Sequence, residues 1–219
     1  MNNKLEKRVN NIRGSLNTLS ISSFNDPLAK KVNWDSIKTF ECGFREQQAK
    51  LINSNKLVFR ATLGAMLFYL IFVIAGFGAI FGTIYKIIIS NVFTLNVDMI
   101  MIPLIGLIFL SIGGFMFYKV TKPLIFCKNT SLLWKEKKLP KSEDIIHLKQ
   151  IHALQIIAKY CRNRDKSIHG YELNLILKNT ERVNIASHTN IEALRKDADI
   201  LADFLGIYIW DVTNSNNNL

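Results

Sequence analysis

Two long apolar segments dominate the hydrophobic pattern of this chain. Residues 61–85 and 99–118 contain no Asp, Glu, Lys or Arg, and at a rise of about 1.5 Å per residue each is long enough to cross the hydrocarbon of a bilayer. Two buried helices of a soluble core would instead have to be wrapped on every face by a chain too small to do so. The pattern therefore predicts a transmembrane hairpin whose short loop is residues 86–98.

Alternating apolar and polar positions on both sides of this hairpin predict β-strands. Residues 49–52 and 57–59 flank an Asn-Ser-Asn turn, and residues 124–127 and 132–134 enclose a second polar turn. Residues 145–160 are too long and apolar for a loop. An extended strand is favoured there over a helix at 151–160, because the following segments also read as a hairpin.

The clearest alternation lies in residues 171–178. Tyr171, Leu173 and Leu175 face one side of this strand, while Glu172 and Asn174 face the other. An Asn-Thr turn follows, and residues 182–186 return with two β-branched side chains facing inward.

A helix is predicted after this hairpin. Thr189 and Glu192 fit a capping box, and Gly206 is well placed to end the helix in a left-handed conformation. Residues 207–210 are expected to pack back on the sheet. One apolar stripe recurs at helical spacing, and it consists of Ile191, Leu194, Ala198, Leu201 and Leu205.

These elements divide the chain into seven segments. They are a polar and loosely attached tail (1–39), a first β-hairpin (40–60), two transmembrane helices (61–85 and 99–118) with their external loop (86–98), the remaining cytoplasmic β-domain with its C-terminal helix (119–211), and a disordered tail (212–219). The fold class is therefore α+β, with a helical hairpin inserted in a split antiparallel β-domain. Both helices are expected to emerge side by side from one edge of that domain.

Charge gives the expected orientation. Lys and Arg number 28 against 17 Asp and Glu, a formal net charge of +11. The basic residues collect on the outer flanks of the apolar segments, as cytoplasmic flanks do, so both termini are expected in the cytoplasm. Nucleic-acid binding is the lesser explanation, since aromatic residues do not alternate with the charges as a stacking surface requires. Arg60, Lys119 and Lys122 would form a basic collar against anionic headgroups.

Several stretches resemble a group of uncharacterised bacterial inner-membrane proteins. The resemblance is carried by residues 57–64, 151–155 and 171–175 and by the closing segment 205–211. It covers roughly residues 40–211 and implies two spans, a cytoplasmic pleckstrin-homology-like domain and location in the inner membrane. It implies no activity, and a shared fold would not fix a function.

Candidate chemistry is sparse. His147, His152, His169 and His188 lie at no metal-ligand spacing with Cys or carboxylates, so no metal site, catalytic residue or cofactor is predicted. Cys42, Cys127 and Cys161 are expected to be free thiols. The acidic residues of the last helix are expected to form a solvated face, and they are Glu192, Asp197, Asp199 and Asp203.

Glycines are candidates for helix packing in the membrane. Gly78 and Gly82 form a GxxxG pattern, and Gly106 and Gly113 lie on the second apolar segment. Packing within the hairpin is favoured over contact between two copies of the chain, which remains the alternative. Neither segment has an ionisable group for an ion or proton path, which argues against a two-span pore or pump.

Two functional hypotheses follow. The first is a non-enzymatic scaffold or binding protein held at the membrane, with the lipid bilayer and an unidentified protein as partners. The second is an immunity protein that guards the inner membrane against a membrane-targeted toxin, since such proteins are small, multi-spanning and lack catalytic residues. Ile191, Leu194, Leu201 and Leu205 would then form either a core face or a partner surface. A lipid-modifying enzyme would need a polar cluster that the sequence does not display.

Overall fold

The computed structural model describes residues 21–37, 43–90, 96–136, 145–162 and 167–214. Its elements are β1 (Gln47–Asn53), β2 (Lys56–Ala61), α1 (Leu63–Ser90), α2 (Val97–Val120), β3 (Leu124–Cys127), β4 (Leu132–Lys135), β5 (Ile146–His147), β6 (Ile151–Arg162), β7 (Ser167–Leu177), β8 (Arg182–His188), α3 (Ile191–Leu205) and β9 (Tyr208–Asp211). Single 3₁₀ turns occupy Leu148–Gln150 and Val212–Asn214. The α+β class is confirmed.

The strands form two sheets. The first has the order β1-β2-β3-β4-β5 and is antiparallel, and the second has the order β8-β7-β6-β9. Val58 of β2 lies opposite Ile125 of β3, so strands from the two sides of the helical hairpin are neighbours in one sheet. Both short hairpins and the strand from Ile151 are confirmed.

β9 departs from the antiparallel expectation. It pairs in parallel with β6, with Leu154 opposite Ile209. α3 separates β8 from β9, and a helical crossover returns the chain in the direction of the strand that it left. The prediction that residues 207–210 pack back on the sheet is confirmed.

The core of the β-domain lies between the two sheets and α3. Side chains that are at most 2% exposed come from each layer, and they include Leu57, Phe59, Phe126, Leu133, Leu173, Leu175, Leu194 and Leu201. The helix stripe and the inward strand face therefore meet, as their periodicities predicted.

α3 begins one residue later than the capping-box pattern indicated. The N-cap is Asn190, whose side chain accepts a hydrogen bond from Ala193 N at 2.9 Å. Thr189 lies outside the helix, and its N–H donates to the carbonyl of Gly43 at 3.3 Å. The helix ends at Gly206 with φ of 70°, a left-handed conformation that glycine adopts without a Cβ clash.

α1 and α2 are longer than the apolar segments that predicted them. α1 extends through Lys86 to Ser90, and α2 begins at Val97, one residue before Asp98. At about 1.5 Å per residue the two helices measure about 42 and 36 Å, against a hydrocarbon thickness of about 30 Å. These charged residues do not terminate the helices, because Lys is a good helix former and Asp98 lies in the first turn of α2, where the helix dipole favours a carboxylate.

The two helices approach most closely at glycines other than the GxxxG pair. A Cβ placed on Gly76 would lie 2.7 Å from the carbonyl oxygen of Gly106, and one on Gly113 would lie 2.8 Å from Cβ of Phe72. A Cβ on Gly78 or Gly82 would meet nothing within 4 Å. The hairpin is thus packed through Gly76, Gly106 and Gly113. Gly78 and Gly82, which the sequence suggested for this packing, do not form the close contact between the helices.

Gly76→Ala is expected to destabilise the hairpin, because the new methyl group must push the backbones apart. Overpacking of this kind typically costs about 1–3 kcal/mol. The midpoint of thermal unfolding of the detergent-solubilised chain measures the effect.

Gly82→Ala is the matched control and has the opposite expected sign. Its methyl group meets open space, and Ala is favoured over Gly in a helix by about 0.5–1 kcal/mol. Equal destabilisation by the two substitutions would contradict the packing arrangement.

Residues 21–37, termed the N-terminal strap, correct the expectation of a loosely attached tail. They cover the face of the second sheet that points away from the core. Phe24 stacks on Trp34 with ring centroids 5.8 Å apart, and Trp34 lies 6.1 Å from Trp210 of β9. Ala29 and Val32 are at most 5% exposed. Sparse apolar residues in a polar segment are enough to attach it, because they converge on the ring of Trp210, which is only 2% exposed.

The sequence predicted a disordered tail at residues 212–219, and this prediction needs correction for its first three residues. Residues 212–214 form a turn whose Thr213 Oγ1 accepts a hydrogen bond from Arg195 Nη2 at 3.1 Å. The remaining tail lies outside the described residues.

Candidate functional site

The base of the helical hairpin is fastened to the start of β1. Thr62 N donates to the carbonyl of Glu46 at 2.8 Å, and Thr62 Oγ1 donates to that of Arg45 at 3.0 Å. Gln47 Nε2 donates to the carbonyls of Val120 and Lys122 at 3.2 and 3.0 Å. The start of α1 and the end of α2 therefore meet at the same strand, and the β-domain is held close to the helices.

Arg45 also ties this junction to α3. Its Nη2 and Nε lie 2.6 and 3.2 Å from the two carboxylate oxygens of Asp197, and Ala49 N donates to the same carboxylate at 2.9 Å. Asp197 is fully buried. Burial raises the pKa of Asp197, and the bonds from Ala49 and Arg45 oppose this rise.

Asp197 is therefore not part of a solvated face. Its spacing carried a signal, since it lies three residues after Leu194 and four before Leu201, at the border of the apolar stripe. A carboxylate at that position needs a cationic partner. Sequence reasoning missed Arg45 as that partner because it lies on the other side of both apolar helices.

His188 lies beside the junction, directly before α3. Its Nδ1 accepts a hydrogen bond from Asn190 N at 3.2 Å, and no described residue bonds to its buried Nε2. Burial, and secondarily the charge of Arg45, lower the pKa of His188 to about 4. His188 is therefore neutral at physiological pH, and its Nδ1 accepts a hydrogen bond at the start of α3.

The depressed pKa of His188 predicts a pH dependence of stability. In the unfolded chain the imidazole takes up a proton near pH 6.5, whereas in the folded chain it does so only near pH 4. The contribution of this group is complete above pH 6.5 and is lost as the pH falls towards 4, by up to about 3 kcal/mol.

His188→Asn is the test of this dependence, because Asn can still accept from Asn190 N but does not titrate. Denaturant unfolding at several pH values should show a smaller loss of stability between pH 6.5 and 4 in the variant. Identical profiles would contradict the assignment.

The basic collar surrounds the base of the hairpin. Arg60 is exposed near the end of β2, opposite Gln48. Lys119 Nζ lies 4.9 Å from the ring centroid of Phe115. Lys122 Nζ lies 2.9 Å from Glu136 Oε1, which raises the pKa of Lys122. Lys122 thus remains charged, and Glu136 compensates part of its positive charge, whereas Arg60 and Lys119 have no salt-bridge partner among the described residues.

A second polar cluster lies beneath the N-terminal strap. Lys159 and Glu172 are at most 3% exposed and their charged atoms lie 3.4 Å apart. Ser36 Oγ and Ile37 N, both in the strap, donate to the carboxylate of Glu172 at 2.5 and 3.0 Å. Asn174 is also buried, so the polar face of β7 is covered.

The remaining candidates whose side chains the structure describes are not brought together, and the side chains of Cys161 and His169 lie outside the described part. His152 Nε2 lies 2.7 Å from Asp26 in the strap, and His147 is exposed. Across the parts of the chain that the structure describes, no group of three His, Cys, Asp or Glu side chains could hold a metal ion. Cys127 is a free thiol, while Cys42 lies outside the described residues.

The apolar stripe of α3 is occupied by the core. Leu194 and Leu201 are fully buried, and Ile191 and Leu205 pack against the same cluster. In this fold the four residues therefore form a core face, the first of the two roles considered for them.

Comparison with known proteins returned no match to a family model, a curated protein or a solved structure.

Proposed function

We propose that the chain is a membrane-anchored, non-enzymatic binding or scaffold protein. The observation that carries this proposal is the attachment of both ends of a long apolar hairpin to one β-domain, through Thr62 and Gln47. An anchor fixed at two points holds the domain against the bilayer surface. Binding at that surface is the task that such an arrangement serves best.

The surface of α1 and α2 supports insertion in a bilayer. Large apolar side chains are exposed along both helices, among them Ile71 (63%), Phe81 (61%) and Ile112 (56%). A contiguous apolar surface of this length would be unfavourable in water. Tyr69 and Tyr118 lie near the domain end and Tyr85 near the opposite end, positions that aromatic residues favour at the two bilayer interfaces.

The orientation follows from the basic flanks. Lys and Arg residues on the domain side of the hairpin exceed those near its tip, where Lys86 is offset by Asp98. We place the β-domain and both termini in the cytoplasm, at the inner membrane that the sequence resemblance implies.

The order of elements in the β-domain supports a pleckstrin-homology-like plan. A first antiparallel sheet is followed by a second sheet, and α3 closes the core between them. The inserted hairpin, the parallel strand β9 and the strap are additions to that plan. Domains of this kind commonly serve as binding modules, but the fold alone would not assign a ligand.

Accessibility of cysteines tests the anchor and its orientation. In a chain whose other cysteines are replaced by Ser, Asn91→Cys should react with a membrane-impermeant maleimide in intact cells. Chains that retain only Cys42 or only Cys161 should react after the cells are opened and the protein is denatured. The reverse pattern would overturn the orientation, and release of the chain by alkaline carbonate would overturn the anchor.

The binding role is tested on the full chain in its native membrane. After chemical cross-linking in cells, affinity purification should enrich one partner at near-stoichiometric yield, compared with an unrelated two-span protein expressed at the same level. Absence of any such partner would count against the scaffold role.

A further inference from the structure

A basic cavity lies between the edge strand β1 and α3. Its volume is about 320 Å³, and its charged lining consists of Arg45, Lys50, Arg60, Lys196 and Asp197. Pockets for small ligands start near 300 Å³. The cavity is therefore large enough for a compact polar group.

The charges around this cavity do not cancel. Both carboxylate oxygens of Asp197 accept hydrogen bonds from Arg45, and one also accepts from Ala49 N. The negative charge of Asp197 therefore mainly compensates the positive charge of Arg45. Lys50, Arg60 and Lys196 are exposed and form no salt bridge with a described residue, although the charge of Lys196 also acts on the neighbouring carboxylate of Asp197. Four basic side chains line the cavity against one carboxylate, and this excess of positive charge favours an anion.

The cations come from separate elements that the fold brings together. Lys50 lies on β1 and Arg60 on β2, where Arg60 pairs with Gln48, two residues from Lys50. Lys196 lies on α3, next to the buried Asp197. Because Asp197 joins α3 to β1, the backbone positions that carry the two lysines are held close to each other. The fold thus brings the three cations to one cavity.

The position of the cavity narrows the class of anion. The carbonyl of Arg45, one of its lining residues, accepts a hydrogen bond from Thr62, the residue that precedes α1. The cavity therefore opens beside the point where the apolar hairpin leaves the domain. This step rests on the proposed membrane anchor, which places that point at the headgroup layer.

We propose that the cavity between β1 and α3 binds a phosphate-bearing anionic group, supplied by a lipid headgroup of the adjoining leaflet. Phosphate oxygens accept hydrogen bonds from ammonium and guanidinium groups, and both kinds of donor are present. A free phosphate ion carries the same chemistry, and the experiment distinguishes the two sources.

The test uses the full chain in detergent micelles with equal amounts of phosphatidylglycerol and phosphatidylcholine, and native mass spectrometry counts the lipids that remain bound. The chain should retain phosphatidylglycerol preferentially. Lys50→Gln and Lys196→Gln should each lower this preference about fivefold. Lys178→Gln, on the exposed turn after β7, is the matched control and should leave it unchanged.

Each outcome decides the proposal. Equal retention of both lipids, or equal preference in all variants, would overturn it. Loss of phosphatidylglycerol on addition of millimolar inorganic phosphate, with the same dependence on Lys50 and Lys196, would support the site and assign a soluble occupant. Carbonate extraction of the same variants is read separately, so that a failed anchor and an absent phosphate site give different results. Unchanged thermal unfolding midpoints show that the exposed lysines were not needed for folding.

Discussion

Replacing Glu172 by Ala is expected to lower the free energy of unfolding by about 3–5 kcal/mol. The substitution leaves the ammonium group of Lys159 buried without its carboxylate, and it removes the acceptor for Ser36 and Ile37 in the strap. Denaturant unfolding of the full chain in detergent, followed by tryptophan fluorescence, measures the loss. Trp34 and Trp210 report directly on the strap because their rings lie against each other.

The control is the double replacement Lys159→Met with Glu172→Leu. Replacing both members of a buried ion pair by apolar residues of similar volume is often neutral or stabilising, because the desolvation penalty of both charges disappears. The double variant should therefore be more stable than Glu172→Ala. If the double variant lost as much stability as Glu172→Ala, the two charges would not be coupled in the way that the structure indicates.

Local periodicity was sufficient to predict most of the elements. The alternation of Leu173 and Leu175 with polar neighbours, and the helical spacing of Leu194 and Leu201, reflect faces that each element buries by itself. The apolar helices needed only length and absence of charge. Each of these signals lies within one segment of the chain, so it can be recognised in a single sequence.

The N-terminal strap covers the outer face of the second sheet, and this contact could not be predicted in the same way. Glu172 and Asn174 occupy the polar positions of β7, and a polar strand face normally indicates solvent. Here the strap lies over that face, and strap and strand are separated by more than a hundred residues. Its attachment depends on Phe24 and Trp34 meeting Trp210, a contact without a local periodic signal.

The contact between Arg45 and Asp197 could not be predicted from the sequence for a related reason. Arg45 and Asp197 are 152 positions apart, and the two apolar helices separate them in the chain. The pairing of β2 with β3 across the hairpin brings them into one domain. The same pairing turns scattered lysines into one basic cavity, whereas composition alone showed an excess of positive charge.

Leu201→Ala is expected to lower the free energy of unfolding by about 2–5 kcal/mol. Leu201 is fully buried between α3 and the inner faces of the sheets. Truncation removes apolar contacts and leaves a cavity that a close-packed core fills only in part. The midpoint of denaturant unfolding, measured with the slope held in common, gives the loss.

Asp199→Ala is the matched control on the same helix. Asp199 is exposed, so its replacement should change the free energy of unfolding by no more than about 0.5 kcal/mol. A large difference between the two variants identifies α3 as the closing element of the core. If both substitutions left stability unchanged but abolished binding of a purified partner, the stripe would be a docking surface. In that case Leu194 and Leu201 would be exposed in the membrane-bound protein, not buried in its core.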